Sequence, residues 1–195
     1  MNFPIPKEVS YVTKQLENAG FEAFVVGGCV RDLILNKAPK DWDVTTNATP
    51  EQIIATFPKT FYENTFGTVG VVNEETTEPT LVVIEVTPYR IEGEYSDNRH
   101  PDTVIFSQKI EDDLKRRDFT MNSLAYSVSK KEIIDLFDGE RDIKDKVIRT
   151  VGDSVSRFKE DGLRILRAVR FSAELGFEIE AGTEKAIFEN SELLK

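Results

Sequence analysis

Asp41-Trp42-Asp43 puts two carboxylates two residues apart in a stretch, residues 40–44, whose pattern predicts a strand. Side chains at i and i+2 of a strand share a face, so both carboxylates would project together. Like charges held that close repel unless a cation lies between them. Hard oxygen donors of this kind suit Mg²⁺, which takes one or two carboxylates and completes its shell with water and substrate phosphates. The same pair also suits a solvated turn, and its spacing alone leaves both readings open. Glu85 is a candidate third carboxylate, set in the otherwise apolar run of residues 81–86. A charge buried there is costly unless paired or metal-bound; alternatively Glu85 faces solvent on an edge strand.

A second candidate is Gly27-Gly28-Cys29-Val30-Arg31-Asp32, which follows one predicted strand and opens a predicted helix. Glycines permit close backbone approach and positive φ, and a helix start presents N–H groups to a phosphate. Arg31 adds a guanidinium fork for phosphate oxygens. The glycine spacings of the dinucleotide fingerprint and of the Walker loop are both absent. A Gly-Gly pair at such a junction is also an ordinary tight turn.

Placing these groups falls to a mixture of helices and strands. Val9, Val12 and Leu16 give residues 7–19 a helical period that Gly20 ends. A strand over residues 21–26 and a helix over 30–36 bracket the Gly-Gly turn. Thr49, Pro50 and Gln52 form a helix start with a capping box. Residues 68–72 and 81–87 read as strands joined by the polar stretch 73–80, as in a hairpin. Residues 90–102 have turn chemistry and read as a loop. Helical patterns follow at 110–117 and 119–126, then strands at 132–136 and 147–151. From Asp153 onward the pattern is helical. The expected division is a mixed α+β domain over residues 1–150 and the start of a helical one over 151–195.

Composition narrows the chemistry. One cysteine, Cys29, excludes an intramolecular disulfide and a cysteine-rich metal site, and makes a reducing cytoplasm the expected compartment. With His100 the single histidine, histidine-based zinc chemistry and a Ser-His-Asp triad are poor fits. No apolar run approaches the roughly 20 residues that span a bilayer, and the N-terminus lacks a signal-peptide layout, so no membrane role is expected. A net charge of −10 argues against generic nucleic-acid binding. The charge is uneven, however: residues 63–113 hold twelve acidic and three basic side chains, residues 141–170 five acidic and nine basic. That pattern suits a carboxylate-bearing head joined to a basic helical region.

In order along the chain, F-V-V-G-G-C-V-R-D (residues 24–32) and K-D-W-D-V-T-T-N-A-T-P (40–50) resemble one family, the tRNA nucleotidyltransferases (CCA-adding enzymes) and bacterial poly(A) polymerases of the bacterial and eukaryotic class. R-R-D-F-T-M-N-S (116–123), D-L-F-D-G (135–139) and E-D-G-L-R-I-L-R-A-V-R-F (160–171) are similar to its next three blocks. Leu136 stands where the family usually has proline, and the 73–80 connection is longer than is common.

The resemblance implies a polymerase-beta-like nucleotidyltransferase head, a mixed sheet with flanking helices, followed by a helical neck that stops at Lys195. It implies that Asp41 and Asp43 are the catalytic, metal-binding pair for Mg²⁺, with Glu85 as helper. Gly28 and Arg31 would meet the triphosphate, Gly27 and Asp32 would belong to the same nucleotide-binding site, and Arg117, Asp118 and Asn122 would lie on its phosphate and ribose side. Asp161 and Arg164 would stand in for a template base, with Arg167 and Arg170 completing the nucleotide site. The implied reaction adds CMP and AMP, from CTP and ATP, to the 3′ end of tRNA without a template. Gripping the tRNA would need regions beyond residue 195. A poly(A) polymerase or A-adding enzyme is the alternative within the family, although residues 61–72 lack the basic patch expected of the former. A non-catalytic nucleotide- or RNA-binding module is the alternative outside it. Oligomeric state is left open.

The template role has a chemical rationale. Residues three apart on a helix are neighbours. A carboxylate accepts from the amino group that cytosine and adenine share, and a guanidinium donates to the adjacent ring acceptor. Uracil and guanine place an oxygen where the amino group would be. At about 100° per residue, Arg164, Arg167 and Arg170 fall on one arc with Leu163 and Phe171, opposite Ile165, Leu166, Val169 and Ala173.

Overall fold

The computed structural model describes residues 1–62 and 66–194. Helix α1 (Lys7–Asn18) buries Val9, Val12 and Leu16, the stripe its period demands. It leads to β1 (Ala23–Val26), and Gly27 passes the chain into α2 (Gly28–Ile34). Strand β2 (Asp43–Thr46) is followed by α3 (Pro50–Thr56). The start of α3 is a capping box: the Gln52 N–H donates to Thr49 Oγ1 (3.4 Å) and the Thr49 N–H to Gln52 Oε1 (2.8 Å). Then come β3 (Thr60–Tyr62), β4 (Val69–Val72), β5 (Val83–Pro88), β6 (Arg90–Glu92), β7 (Val104–Phe106) and α4 (Ile110–Lys115). Strands β8 (Leu124–Ser127) and β9 (Glu132–Asp135), helix α5 (Gly139–Asp145) and β10 (Val147–Ile148) follow. The chain continues through α6 (Ser154–Glu160), α7 (Leu163–Leu175), β11 (Glu178–Ile179) and α8 (Ala181–Glu189).

Seven strands form a mixed sheet in the order β3-β4-β5-β2-β1-β8-β9. Strands β2 and β5 run parallel, and their neighbours in the sheet antiparallel. The two-residue period of the central strands sorts side chains between two cores. Ala23, Val25, Val44, Ile84, Val86, Leu124 and Tyr126 join the larger core with α1, α2 and α3. Phe24, Val26 and Ala125 join a smaller core with Tyr89 and with Ile110 and Leu114 of α4. By the same alternation, Asp43, Thr45 and Glu85 belong to the α4 side of the sheet. That face carries the candidate chemistry.

Several sequence expectations are corrected. Strand β2 begins at Asp43, so Asp41 lies in the bend before it, with buried Trp42 between. Residues 90–92 are strand β6, paired antiparallel with β7, where a loop was expected. Residues 119–126 are not a helix: a 3₁₀ turn at Thr120–Asn122 gives way to β8. All four β8 residues are buried, so the strand shows no polar alternation and its apolar run passes for a helix face. The region after Asp153 is not wholly helical, because β11 pairs parallel with β10. Through this pair, and through Ala168, Phe171 and Phe177, residues beyond 150 share the larger core.

The 135–139 block has a local cause. The Asp135 carboxylate accepts the N–H groups of Phe137 (3.2 Å), Gly139 (2.9 Å) and Glu140 (2.9 Å), folding the chain into the start of α5. A Cβ on Gly139 would stand 2.3 Å from the Thr120 carbonyl oxygen, so the close approach of α5 to that turn requires glycine.

Candidate active site

Asp43 opens β2 and lies directly opposite Glu85 in the parallel β2–β5 register. Asp43 is half-buried and Glu85 exposed. Burial raises the Asp43 pKa above the usual carboxylate range; the Arg117 charge opposes this and the Asp41 charge adds to it. Asp41, exposed in the preceding bend, is therefore close enough to press on Asp43 although it is outside the strand. Beneath them the buried Cys29 thiol is pushed up to about 12 by burial and by the Asp43 charge, which leaves it an inert packing group. Among the described residues no three such side chains converge into a ready metal cluster. A hydrated cation shared with substrate phosphates needs only one or two carboxylates. Asp43, half-buried and with the Asp41 charge opposing its ionisation, is a donor that such an ion relieves, and Asp41 is a second oxygen donor beside it.

Gly27 has φ 84° and ψ −136°, a conformation that favours glycine. A Cβ there would lie 3.0 Å from Arg117 Nη1 and 3.9 Å from Asp43 Oδ2, so glycine turn, arginine and carboxylate meet at one point. Arg117 Nη2 donates to Asp113 Oδ2 at 2.9 Å. Its Nε is buried and has no hydrogen-bond partner among the described residues. A buried cationic N–H without an acceptor is costly.

Arg31, itself buried, donates through Nη1 to Asn122 Oδ1 (2.8 Å) and through Nε and Nη2 to Asp32 Oδ1 (2.9 and 2.7 Å). Asn122 Nδ2 donates onward to Asp118 Oδ1 (3.2 Å), and Arg167 Nε to Asp118 Oδ2 (2.7 Å). Burial pushes the Asp118 carboxyl up, but the Arg167 charge and the hydrogen bonds from Arg167, Phe119 and Asn122 outweigh it, and its pKa is lowered. The guanidinium carbons of Arg31, Arg167 and Arg170 sit 5.2, 5.3 and 5.2 Å from the Phe171 ring centre. One aromatic face thus gathers three cations from two helices.

Asp161 and Arg164 are arranged differently from the expectation. Asp161 is not on the helix with Arg164; it closes α6, and its Oδ1 accepts the Leu163 N–H at 2.9 Å. Arg164, on the first turn of α7, is buried and donates to Glu160 Oε2 (2.7 Å) and to the carbonyls of Arg157 (3.2 Å) and Arg116 (3.4 Å). The apolar arc is corrected as well. Helix α7 buries Arg164, Ile165, Ala168 and Phe171, while Leu166 and Val169 are exposed. Ion pairing at Arg164 and cation–π contact at Phe171 turn the mixed face inward.

Sequence reasoning passed over Asp113, Glu160 and Phe171, the groups that hold the arginines. The first two carried a signal. Asp113 is three and four residues before Arg116 and Arg117, and Glu160 is four before Arg164, the spacings at which helical neighbours pair. Asp113 is fully buried; burial raises its pKa, but Arg116 and Arg117 overcome that and bring it to about 2.

A mixed sheet with flanking helices, bearing carboxylates at the head of one strand beside a glycine turn and a bank of arginines, is the polymerase-beta-like nucleotidyltransferase head. The chain belongs to the poly A polymerase head domain family, whose pattern matches residues 23–149. It is 46% identical over 184 residues to the CCA-adding enzyme of Geobacillus thermodenitrificans, an alignment covering 94% of this chain and 44% of that protein. The crystal structure of the Bacillus stearothermophilus CCA-adding enzyme in complex with CTP superposes with a TM-score of 0.85 at 41% identity, over 97% of this chain and 45% of that one. A CCA-adding enzyme from Thermotoga maritima complexed with tRNA is similar at a TM-score of 0.73 and 28% identity, over 94% of this chain and 41% of the other. The chain therefore spans less than half the length of these relatives. No helix among the described residues is long and apolar enough to cross a membrane.

Proposed function

We propose that this chain is the head, residues 1–150, and the beginning of the neck, residues 151–195, of a cytoplasmic enzyme that adds CMP and AMP to the 3′ end of tRNA. The observation that carries the reading is the meeting of Asp43, Gly27 and Arg117 at one point, with Glu85 in register beside Asp43. The CTP- and tRNA-bound relatives support the choice of substrates.

In this reading Asp41 and Asp43 hold Mg²⁺, and Glu85 assists from β5. The bound metal supplies activation of the attacking 3′-hydroxyl and stabilisation of the leaving pyrophosphate oxygen. Arg117, whose Nη1 stands at the Gly27 turn, fronts the phosphate oxygens. Gly27 and Gly28 let the triphosphate approach the backbone, and Arg31, fixed by Asp32 and Asn122, fronts it with a second positive charge. Arg167, braced by Asp118, and Arg170 line the same side. Asp161 and Arg164, at the junction of α6 and α7, read the amino group and the ring acceptor of cytosine or adenine. Both Nη1 hydrogens of Arg164 are held by Glu160 and the Arg157 carbonyl, so it would read the base through its remaining donors.

Nucleotide and RNA binding should separate in this chain. Calorimetry in the presence of Mg²⁺ should detect binding of CTP and ATP. A gel shift with tRNA should find weak binding, because a net charge of −10 opposes the phosphate backbone. Absence of CTP and ATP binding would overturn the assignment; tight, salt-sensitive tRNA binding would overturn the charge argument.

A further inference from the structure

Asp113 lies on α4 with no exposed surface, and its two oxygens divide four donors. Oδ1 accepts from Arg116 Nε (2.9 Å) and Nη2 (2.6 Å). Oδ2 accepts from Arg117 Nη2 (2.9 Å) and from Thr45 Oγ1 (3.2 Å), whose single proton it shares with the Thr87 carbonyl (3.1 Å). A carboxylate can be buried this deeply only with its charge answered and its lone pairs filled, and both conditions are met. Two guanidiniums on one carboxylate nevertheless leave one positive charge in excess. Arg116 has a second partner in Glu92, whose Oε1 is 3.1 Å from its Nη1. Glu92 also holds Arg90, whose Nη2 is 2.7 Å from the same oxygen, so three guanidiniums share the carboxylates of Glu92 and Asp113. Arg117 is the one with donors left over: among the described residues its Nε finds no acceptor, and its Nη1 stands at the Gly27 turn beside Asp43.

Thr45 ties this grip to the sheet. It is two residues along β2 from Asp43 and shares its face, so the Thr45–Asp113 bond ties the carboxylate to the strand that opens with Asp43. We propose that Asp113 is a positioning residue: it grips Arg117 by Nη2 so that the guanidinium edge at the Gly27 turn meets the triphosphate, and through Thr45 it fixes that guanidinium relative to Asp43. The proposal rests on the nucleotide-binding reading above and adds a residue that never touches the nucleotide.

The test is a double-mutant cycle of Asp113→Asn and Arg117→Ala, titrated with CTP and with inorganic triphosphate, each variant's melting temperature being recorded alongside. Asp113→Asn should weaken both ligands by about tenfold, the scale of one hydrogen bond to a charged group. Equal losses for the two ligands would place the effect on phosphate and not on the base. In the Arg117→Ala background Asp113→Asn should cost melting temperature and no further affinity. An unchanged affinity for Asp113→Asn in the folded protein, or an equal loss in both backgrounds, overturns the proposal and leaves Asp113 a purely structural group. If Asp113→Asn does not fold, Thr45→Val carries the same test, since it withdraws one donor from Oδ2 at nearly constant volume. It should cost about threefold in the parent and nothing in Arg117→Ala, the lower end for a lost neutral hydrogen bond. Wild-type protein that binds neither CTP nor triphosphate overturns the nucleotide reading and this proposal together; wild-type binding that Asp113→Asn leaves intact overturns this proposal alone.

Discussion

Replacing Asp43 with Asn should reduce nucleotide addition by about 10³-fold or more, which corresponds to several kcal/mol of lost stabilisation of the transition state. The melting temperature should be unchanged or higher. In the proposed reading activity would fall because the amide would not supply the negative charge by which Asp43 would hold a metal ion. Stability does not fall because the folded protein raises the Asp43 pKa through burial and the Asp41 charge. A carboxyl whose folded pKa is raised costs stability at pH values above it, where it must ionise, and a neutral amide removes that cost. Activity loss accompanied by unfolding would mean that Asp43 is a structural group, and activity retained would remove it from the chemistry. Asp41→Asn should have a similar effect on activity, although Asp41 lies in the bend and not in the strand.

Asp161→Ala should relax the choice of base. Discrimination against UTP and GTP should fall by roughly 1–3 kcal/mol, the scale of a good bidentate base contact. The alanine no longer repels the carbonyl oxygen that uracil and guanine present in place of the amino group. The same carboxylate accepts the Leu163 N–H, so a modest stability loss of about 1 kcal/mol should accompany the change, as for loss of a helix cap. Arg164→Ala should instead weaken CTP and ATP alike, because it also removes one of the two arginines that pair with Glu160 and opens a buried site. The measurement is competitive incorporation of all four nucleotides. Wild-type selectivity in Asp161→Ala would leave the α6–α7 junction a scaffold with no part in reading the base.

The legible parts of the fold were those written in neighbouring residues. The α1 stripe, the capping box at Thr49 and Gln52, and the β4–β5 hairpin depend on spacings of two to four, and each formed where those spacings placed it. Strand β8 was not legible, since burial on both faces removes the alternation by which a strand is recognised. The inward face of α7 was hidden for another reason. Its burial is set by Phe171 stacking on guanidiniums from two helices and by Arg164 pairing with Glu160, contacts that exist only once α2, α6 and α7 are assembled. The site followed the same division. Asp43 and Gly27 announced themselves by type and spacing, whereas Asp113 sits in the run Glu111-Asp112-Asp113, which reads as a solvated helix face. Arg116, Arg117 and Thr45 make it a buried hub.

The most direct test is to incubate the complete enzyme that carries this chain with tRNA that lacks its 3′ end and with each labelled nucleotide in turn. The account predicts incorporation from CTP, incorporation from ATP once cytidines are in place, and almost none from UTP or GTP. Long runs of adenosine added to any RNA end, or equal use of all four nucleotides, would contradict it.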